Sequence, residues 1–196
     1  MELDEDFTIK DVQRKCFDCR QCSIGGKTIP DSEISCNVFS SMNVQSNIMV
    51  VGQSPGVKEV EVGIPFIGPA GSVFDKALME IVGVDRSEIY VTNVVKCYAP
   101  NNRKPTIQEM NNCRDILDLE MKIVSPKVVV AIGTCAFKML TGMSGIMKNS
   151  GKLVISPRYL VPVLALIHPS PYNLNDVSRK EMFFKSMKKL AEVLKI

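Results

Sequence analysis

The chain has 196 residues, 45% of them hydrophobic and 23% charged, which suits one folded domain with a sizeable core and excludes gross disorder. Its 24 basic and 21 acidic residues leave a formal charge of only +3, so net charge does not identify a polyanion as partner and only local clustering could. No apolar run is long enough to span a bilayer, and the acidic start, residues 1–6, does not read as a signal peptide; a cytoplasmic protein without a membrane partner is expected.

Residues 7–15 read as a short helix leading into Cys16-Phe17-Asp18-Cys19-Arg20-Gln21-Cys22, where the C-x-x-C interval that lets two thiolates share one metal or cluster occurs twice in overlap. Residues 23–46, rich in Ser, Gly, Asn and Pro, read as an extended loop. An apolar strand over 47–51 follows, and Gly52-Gln53-Ser54-Pro55-Gly56 forms a sharp turn at its C-terminal end, where open α/β sheets bind ligands. A helix fits 68–82 and ends at Gly83, and the next strand, 89–95, carries Asn93 toward the same rim. Thr106 to Glu109 has the pattern of a capping box opening a helix that runs to about 123 and stops before Pro126. A third strand over 127–133, a short helix over 134–140, an edge strand over 153–156 and a fourth central strand over 161–167 deliver His168 to the rim. A basic amphipathic helix over 176–195 closes the chain. This alternation predicts an α/β fold of three αβα layers around a central four-stranded parallel sheet, one domain over 1–196 with an N-terminal segment and loop over 1–46.

Seven cysteines is an odd number, and in a reducing compartment the intervals favour ligands or free thiols over bridges. Either interval of the first group, Cys16/Cys19 or Cys19/Cys22, makes four thiolates together with Cys97/Cys113, which spacing alone allows for either tetrahedral zinc or an iron–sulfur cluster. Cys36 and Cys135 have no comparable partner interval and read as buried small hydrophobes. His168, the single histidine, is followed by the rigid Pro169-Ser170-Pro171. Asn93 offers both a donor and an acceptor, and Phe66 a flat apolar face. Lys96, Arg103, Lys104 and Arg179 are candidate phosphate contacts, with Arg103 and Lys104 ranked above the lysines of the last helix.

Taken together, Cys19-x-x-Cys22, Val51-Gly52-Gln53-Ser54-Pro55-Gly56, Gly63-Ile64-Pro65-Phe66-Ile67-Gly68, Thr92-Asn93-Val94-Val95-Lys96-Cys97, Cys113 and His168-Pro169-Ser170-Pro171 resemble the uracil-DNA glycosylase superfamily, most closely the iron–sulfur enzymes of family 4. The resemblance runs from Cys19 to the C-terminus. It implies a uracil-DNA glycosylase-like fold, removal of uracil from single- or double-stranded DNA to leave an abasic site, and a flipped base. In that frame Gly52 and Gln53 line the base pocket, Phe66 stacks, Asn93 reads the edge, and His168 stabilises the leaving uracil. The cysteine set becomes a [4Fe–4S] cluster on Cys19, Cys22, Cys97 and Cys113, with zinc as the other occupant and Cys16 left as a spare neighbour, the alternative ligand in place of Cys19 or Cys22. The cluster is expected to tie the N-terminal segment to the 97–113 loop.

The chain departs from family 4 where water is activated, since Gln53 replaces a Glu. Gln53-Ser54 is similar to the Gly-Gln-Asp-Pro turn of family 1, with Ser54 in the place of Asp. Glu59 matches a second acidic position and could position or polarise water. The loop from His168 through Ser170 and Tyr172 resembles the DNA-intercalating loop of families 1 and 3, with Tyr172 at the wedge position. A monomer is expected, with room for a replication or repair protein partner. The competing readings are a DNA-binding or polymerase-associated member with weak or no catalysis, and a glycosylase for another damaged base.

Overall fold

The computed structural model describes residues 7–29, 32–41 and 43–195; the acidic start, residues 1–6, lies outside them. Apolar β-branched runs give the four parallel strands β1 (Ile48–Gly52), β2 (Tyr90–Asn93), β3 (Val128–Ile132) and β5 (Pro162–Leu166), and β4 (Leu153–Ile155) adds an antiparallel edge. The order is β2-β1-β3-β5-β4, so the central sheet and the extra edge strand are as expected. β1, β2 and β3 are buried along their whole length, the signature of a parallel sheet covered on both faces.

Alternation along the strands separates two cores. Met49, Val51, Val129, Ala131, Val163 and Ala165 face α1 (Ile9–Phe17), α5 (Arg114–Val124) and α6 (Gly133–Thr141). Ile48, Val50, Val130, Leu164 and Leu166 face α3 (Pro69–Ala77), the π-helical turn Leu78–Val82 that prolongs it, and α9 (Val177–Leu194). The loop after β1 therefore leads to one face and the loop after β3 to the other. Their diverging ends open a crevice between adjacent parallel strands, the place where such sheets take ligands.

The expected helix over 106–123 is two, α4 (Ile107–Asn112) and α5, meeting at Cys113. Its capping box forms as read: Thr106 Oγ1 accepts from the Glu109 N–H at 3.1 Å and Glu109 Oε2 from the Thr106 N–H at 2.8 Å. Three short helices were not expected, α2 (Val57–Val62), α7 (Ile146–Asn149) and α8 (Pro171–Leu174). The last turns the expected loop after His168 into a capped turn, with Ser170 Oγ accepting from the Asn173 N–H. Among the described residues no helix is long and apolar enough to cross a membrane.

Candidate active site

Gly52 ends β1 opposite Asn93, and a Cβ there would stand 2.4 Å from Asn93 Oδ1 and 3.0 Å from the Phe66 ring. Glycine is thus required for the strand end to touch both side chains. Asn93 is 2% exposed, and its Oδ1 has no hydrogen-bond partner. A buried acceptor left open costs about 1–3 kcal/mol unless a ligand fills it.

Phe66 is held at φ 61°, a left-handed conformation that a bulky residue rarely adopts. Arg86 secures it, donating from one guanidinium nitrogen to the Phe66 carbonyl at 3.1 Å and from the other to the Pro65 carbonyl, while pairing with Asp75 at 2.8 Å. On the other side Gly71 has no room for a Cβ, which would lie 1.8 Å from the Phe66 oxygen. A glycine inside a helical pattern was the available signal for that contact; nothing in the spacing announced Arg86. The Phe66 ring meets Phe74 edge-on at 6.0 Å and His168 at 6.2 Å.

His168 leaves β5 two residues beyond its end, and burial pushes its pKa below the ordinary histidine value, an effect the nearby Glu59 charge partly opposes. The imidazole is therefore neutral at pH 7. Its carbonyl accepts from Asn173 Nδ2 at 2.8 Å, which ties α8 back to the rim.

Two adjoining cavities share Ser54, Phe66 and His168. One, of about 560 Å³, adds Gln53, Lys104 and Arg179; the other, of about 470 Å³, adds Glu59, Asn93 and Ser170. Gln53 is turned by Cys135, whose thiol donates to Gln53 Oε1 at 3.2 Å. Glu59 spends both oxygens on the backbone, accepting from the Gly56 and Gly68 N–H groups at 2.9 Å each, and so staples the two glycine turns together. Each oxygen keeps a second lone pair that could meet water.

The basic candidates divide. Lys104 is exposed at the mouth of the larger cavity. Arg179 lies 6.0 Å over the Tyr172 ring and donates to Asn173 Oδ1 at 3.1 Å. Tyr172 itself is 81% exposed on α8 and lines neither cavity. Arg103 is committed to Glu109 through two hydrogen bonds, 2.9 and 2.6 Å, which hold that carboxyl well down at about 2. Lys96 is not a phosphate contact: it is 1% exposed and paired with the buried Glu120, because the chain folds inward after β2 between the core residues Val94 and Val95 and Cys97.

Cys97 and Cys113 are buried, and Cys19 and Cys22 are partly exposed. Burial chiefly raises the Cys113 thiol, with Cys19 and Cys22 adding to the rise, and Cys97 is raised by its hydrogen bond with Cys36, then by burial and by Cys113. Cys16 acts on Cys97 in the same way, so these electrostatics do not set four cysteines apart. Asn112 Nδ2 ties the N-terminal segment to the end of α4 by donating to the Gln21 carbonyl at 2.6 Å. A donor set of sulfur alone fits zinc or an iron–sulfur cluster, although among the described residues no three metal-binding side chains close on a single ion. Cys36 is buried as expected but is no isolated filler, since the bridge between Asn37 and Cys97 sets it against Cys97. Cys16 is sealed on α1, its thiol pushed up to about 12 by burial.

The model of the uracil DNA glycosylase superfamily matches residues 39–192. The type-4 uracil-DNA glycosylase of Archaeoglobus fulgidus is 30% identical over 194 residues, covering 95% of this chain and 93% of the relative. That of Sulfurisphaera tokodaii is 29% identical over 207 residues, covering 94% and 85%. A DNA polymerase of Bacillus phage SP01 is 32% identical over 152 residues, 76% of this chain but 16% of the polymerase. A solution NMR structure of a protein from Methanosarcina acetivorans has the same fold, with a TM-score of 0.50 and 12% identity, covering 79% of this chain and 96% of its own. The chain belongs to the uracil DNA glycosylase superfamily, enzymes that hydrolyse N-glycosyl bonds, and within it to the type-4 uracil-DNA glycosylases.

Proposed function

We propose that the protein removes uracil from DNA by taking the flipped nucleotide into the pocket between Phe66 and His168 and hydrolysing its N-glycosidic bond. The observation that carries this reading is the open acceptor of Asn93, buried beside an aromatic face and a neutral imidazole. Uracil presents a ring N–H flanked by two carbonyl oxygens. Asn93 Oδ1 would accept from that N–H, and its amide nitrogen would donate to the neighbouring oxygen. Phe66 stacks on the ring.

As the bond to the sugar lengthens, negative charge gathers on the departing base. His168 donates to its oxygen, stabilising the leaving group without first giving up a proton to solvent. Glu59 holds the turn and places a negative charge near the cationic sugar, and its remaining lone pairs orient water. Gln53 and Ser54 line the approach without supplying a base. Tyr172 would fill the gap left by the flipped base, and Lys104 and Arg179 would contact phosphates.

Cys19, Cys22, Cys97 and Cys113 would hold a [4Fe–4S] cluster, which when bound supplies a covalent tie between the N-terminal segment and the loop after β2. About four iron and four sulfide per chain, lost in Cys97→Ser, is the expected result for protein purified without oxygen; zinc in their place would refute the cluster.

The test of function is alkali cleavage of a labelled single-stranded oligonucleotide carrying one uracil. Cleavage by the parent and its loss in His168→Ala is expected. Binding without cleavage would instead support a DNA-binding, polymerase-associated role, a second reading favoured by the absence of a free carboxylate at Gln53 and by the similarity to part of a phage polymerase. Cleavage only of hypoxanthine or hydroxymethyluracil would assign the pocket to another damaged base.

A further inference from the structure

Strand alternation puts Asn93 on one face of β2 and Tyr90 and Thr92 on the other, where α5 packs. On that hidden face lies a fully enclosed ion pair, Lys96 with Glu120, the side chains 1% and 0% exposed. Lys96 Nζ uses its three protons on Glu120 Oε2 at 2.5 Å, Thr92 Oγ1 at 2.6 Å and the Asn93 carbonyl at 2.6 Å. Glu120 Oε1 accepts from the Tyr90 hydroxyl at 3.0 Å and from Thr92 Oγ1 at 2.8 Å.

Burying two charges is poor stabilisation, since an apolar pair of similar volume often serves as well or better. What this pair contacts is more informative than its strength. The peptide between Asn93 and Val94 is fixed at both ends: its carbonyl takes the Lys96 bond and its N–H donates to the Gly52 carbonyl at 3.0 Å. The same peptide carries the side chain whose Oδ1 meets nothing in the protein. The plane is gripped from behind while that acceptor stays open in front.

We infer that Lys96 and Glu120 are positioning residues for base recognition, holding the Asn93–Val94 peptide so that the Asn93 amide meets the edge of the base. The inference rests on the reading of Asn93 as the residue that contacts uracil. Neither side chain touches the substrate; both act through Asn93.

The test is a double-mutant cycle. Lys96→Met with Glu120→Leu removes the pair without stranding a lone charge, so a folded protein is expected. Its kcat/KM on the uracil oligonucleotide should fall about 10-fold, no more than the loss on removing the Asn93 amide itself, as expected of a contact group that is misplaced but present. In an Asn93→Ala background the same substitutions should add little. Parent-like kcat/KM, or an equal loss in both backgrounds, would overturn the inference, since a purely structural role is indifferent to Asn93. Should the double variant not fold, Lys96→Met with Glu120→Gln, which also leaves no lone charge but keeps an acceptor for Tyr90 and Thr92, takes its place in the cycle with the same two outcomes deciding. A parent that excises no uracil refutes the reading of function instead. The Asn93 side-chain amide resonance then decides: a shift in the variant with the Asn47 amide unmoved sustains the positioning role, and an unchanged Asn93 signal ends it.

Discussion

Asn93 and Lys96 stand three residues apart in the chain, and their buried polar atoms are treated in opposite ways. Lys96 and Glu120 have partners for every proton and both oxygens, whereas the Asn93 Oδ1 has none. In a folded interior unsatisfied polar atoms are rare, so the satisfied cluster reads as scaffold and the unsatisfied one as a place held for a ligand. The same division recurs at the rim. Arg86 is spent on the Phe66 and Pro65 carbonyls, and His168 faces the pocket as a neutral imidazole.

Substitutions in front of β2 should cost turnover, and those behind it geometry. His168→Ala, which removes the donor to the leaving base, is expected to lower kcat by about 100- to 1000-fold with little change in thermal stability. A comparable loss of stability would place His168 with the scaffold. Burial lowers its pKa, so the neutral form persists below the ordinary value of 6.5; activity should stay flat through neutral pH and fall only in a limb below 6.5. Stability carries the same sign, full above 6.5 and lost as falling pH charges the buried ring. An acid limb centred above 6.5 would contradict the buried imidazole. Asn93→Ala should cost about 10- to 100-fold in kcat/KM, the worth of a buried hydrogen-bonded contact.

Arg86→Ala tests the other side of the division. Freed of its clamp, Phe66 would relax from φ 61°, raising KM and lowering stability by about 1–3 kcal/mol in denaturant unfolding. Unchanged KM would mean that Gly71 and the core suffice to hold the ring. The smallest effect is expected at Lys104, where Lys104→Ala should leave kcat intact and reduce the salt dependence of single-strand binding by about 0.7 in the logarithmic slope. An unaltered slope would remove Lys104 from the DNA path.

The sheet was legible because the central strands are continuous apolar runs and their ends carry glycine, asparagine and histidine; order and rim follow from that alternation. Asn93, Phe66 and His168 come together because parallel strands deliver their C-terminal ends to one edge. What spacing hid was set by contacts remote in sequence. Lys96 looked like a surface cation since nothing local names Glu120 on α5 as its partner, and Arg103 looked free until Glu109 was seen to bond both the helix start and the guanidinium. The capped turn α8 was missed because four residues are too few to show a helical period.

The exposed Tyr172 has an optical consequence. The chain contains no tryptophan, so tyrosine emission is not drained by energy transfer to an indole. Of its four tyrosines, Tyr90 is fully enclosed, Tyr98 and Tyr159 are partly covered, and Tyr172 stands 81% in solvent at the tip of α8. A nucleobase that stacks on that ring would quench it. The unlabelled protein thus carries its own fluorophore at the point where the proposed wedge would enter DNA, and its intensity can be followed during a single encounter.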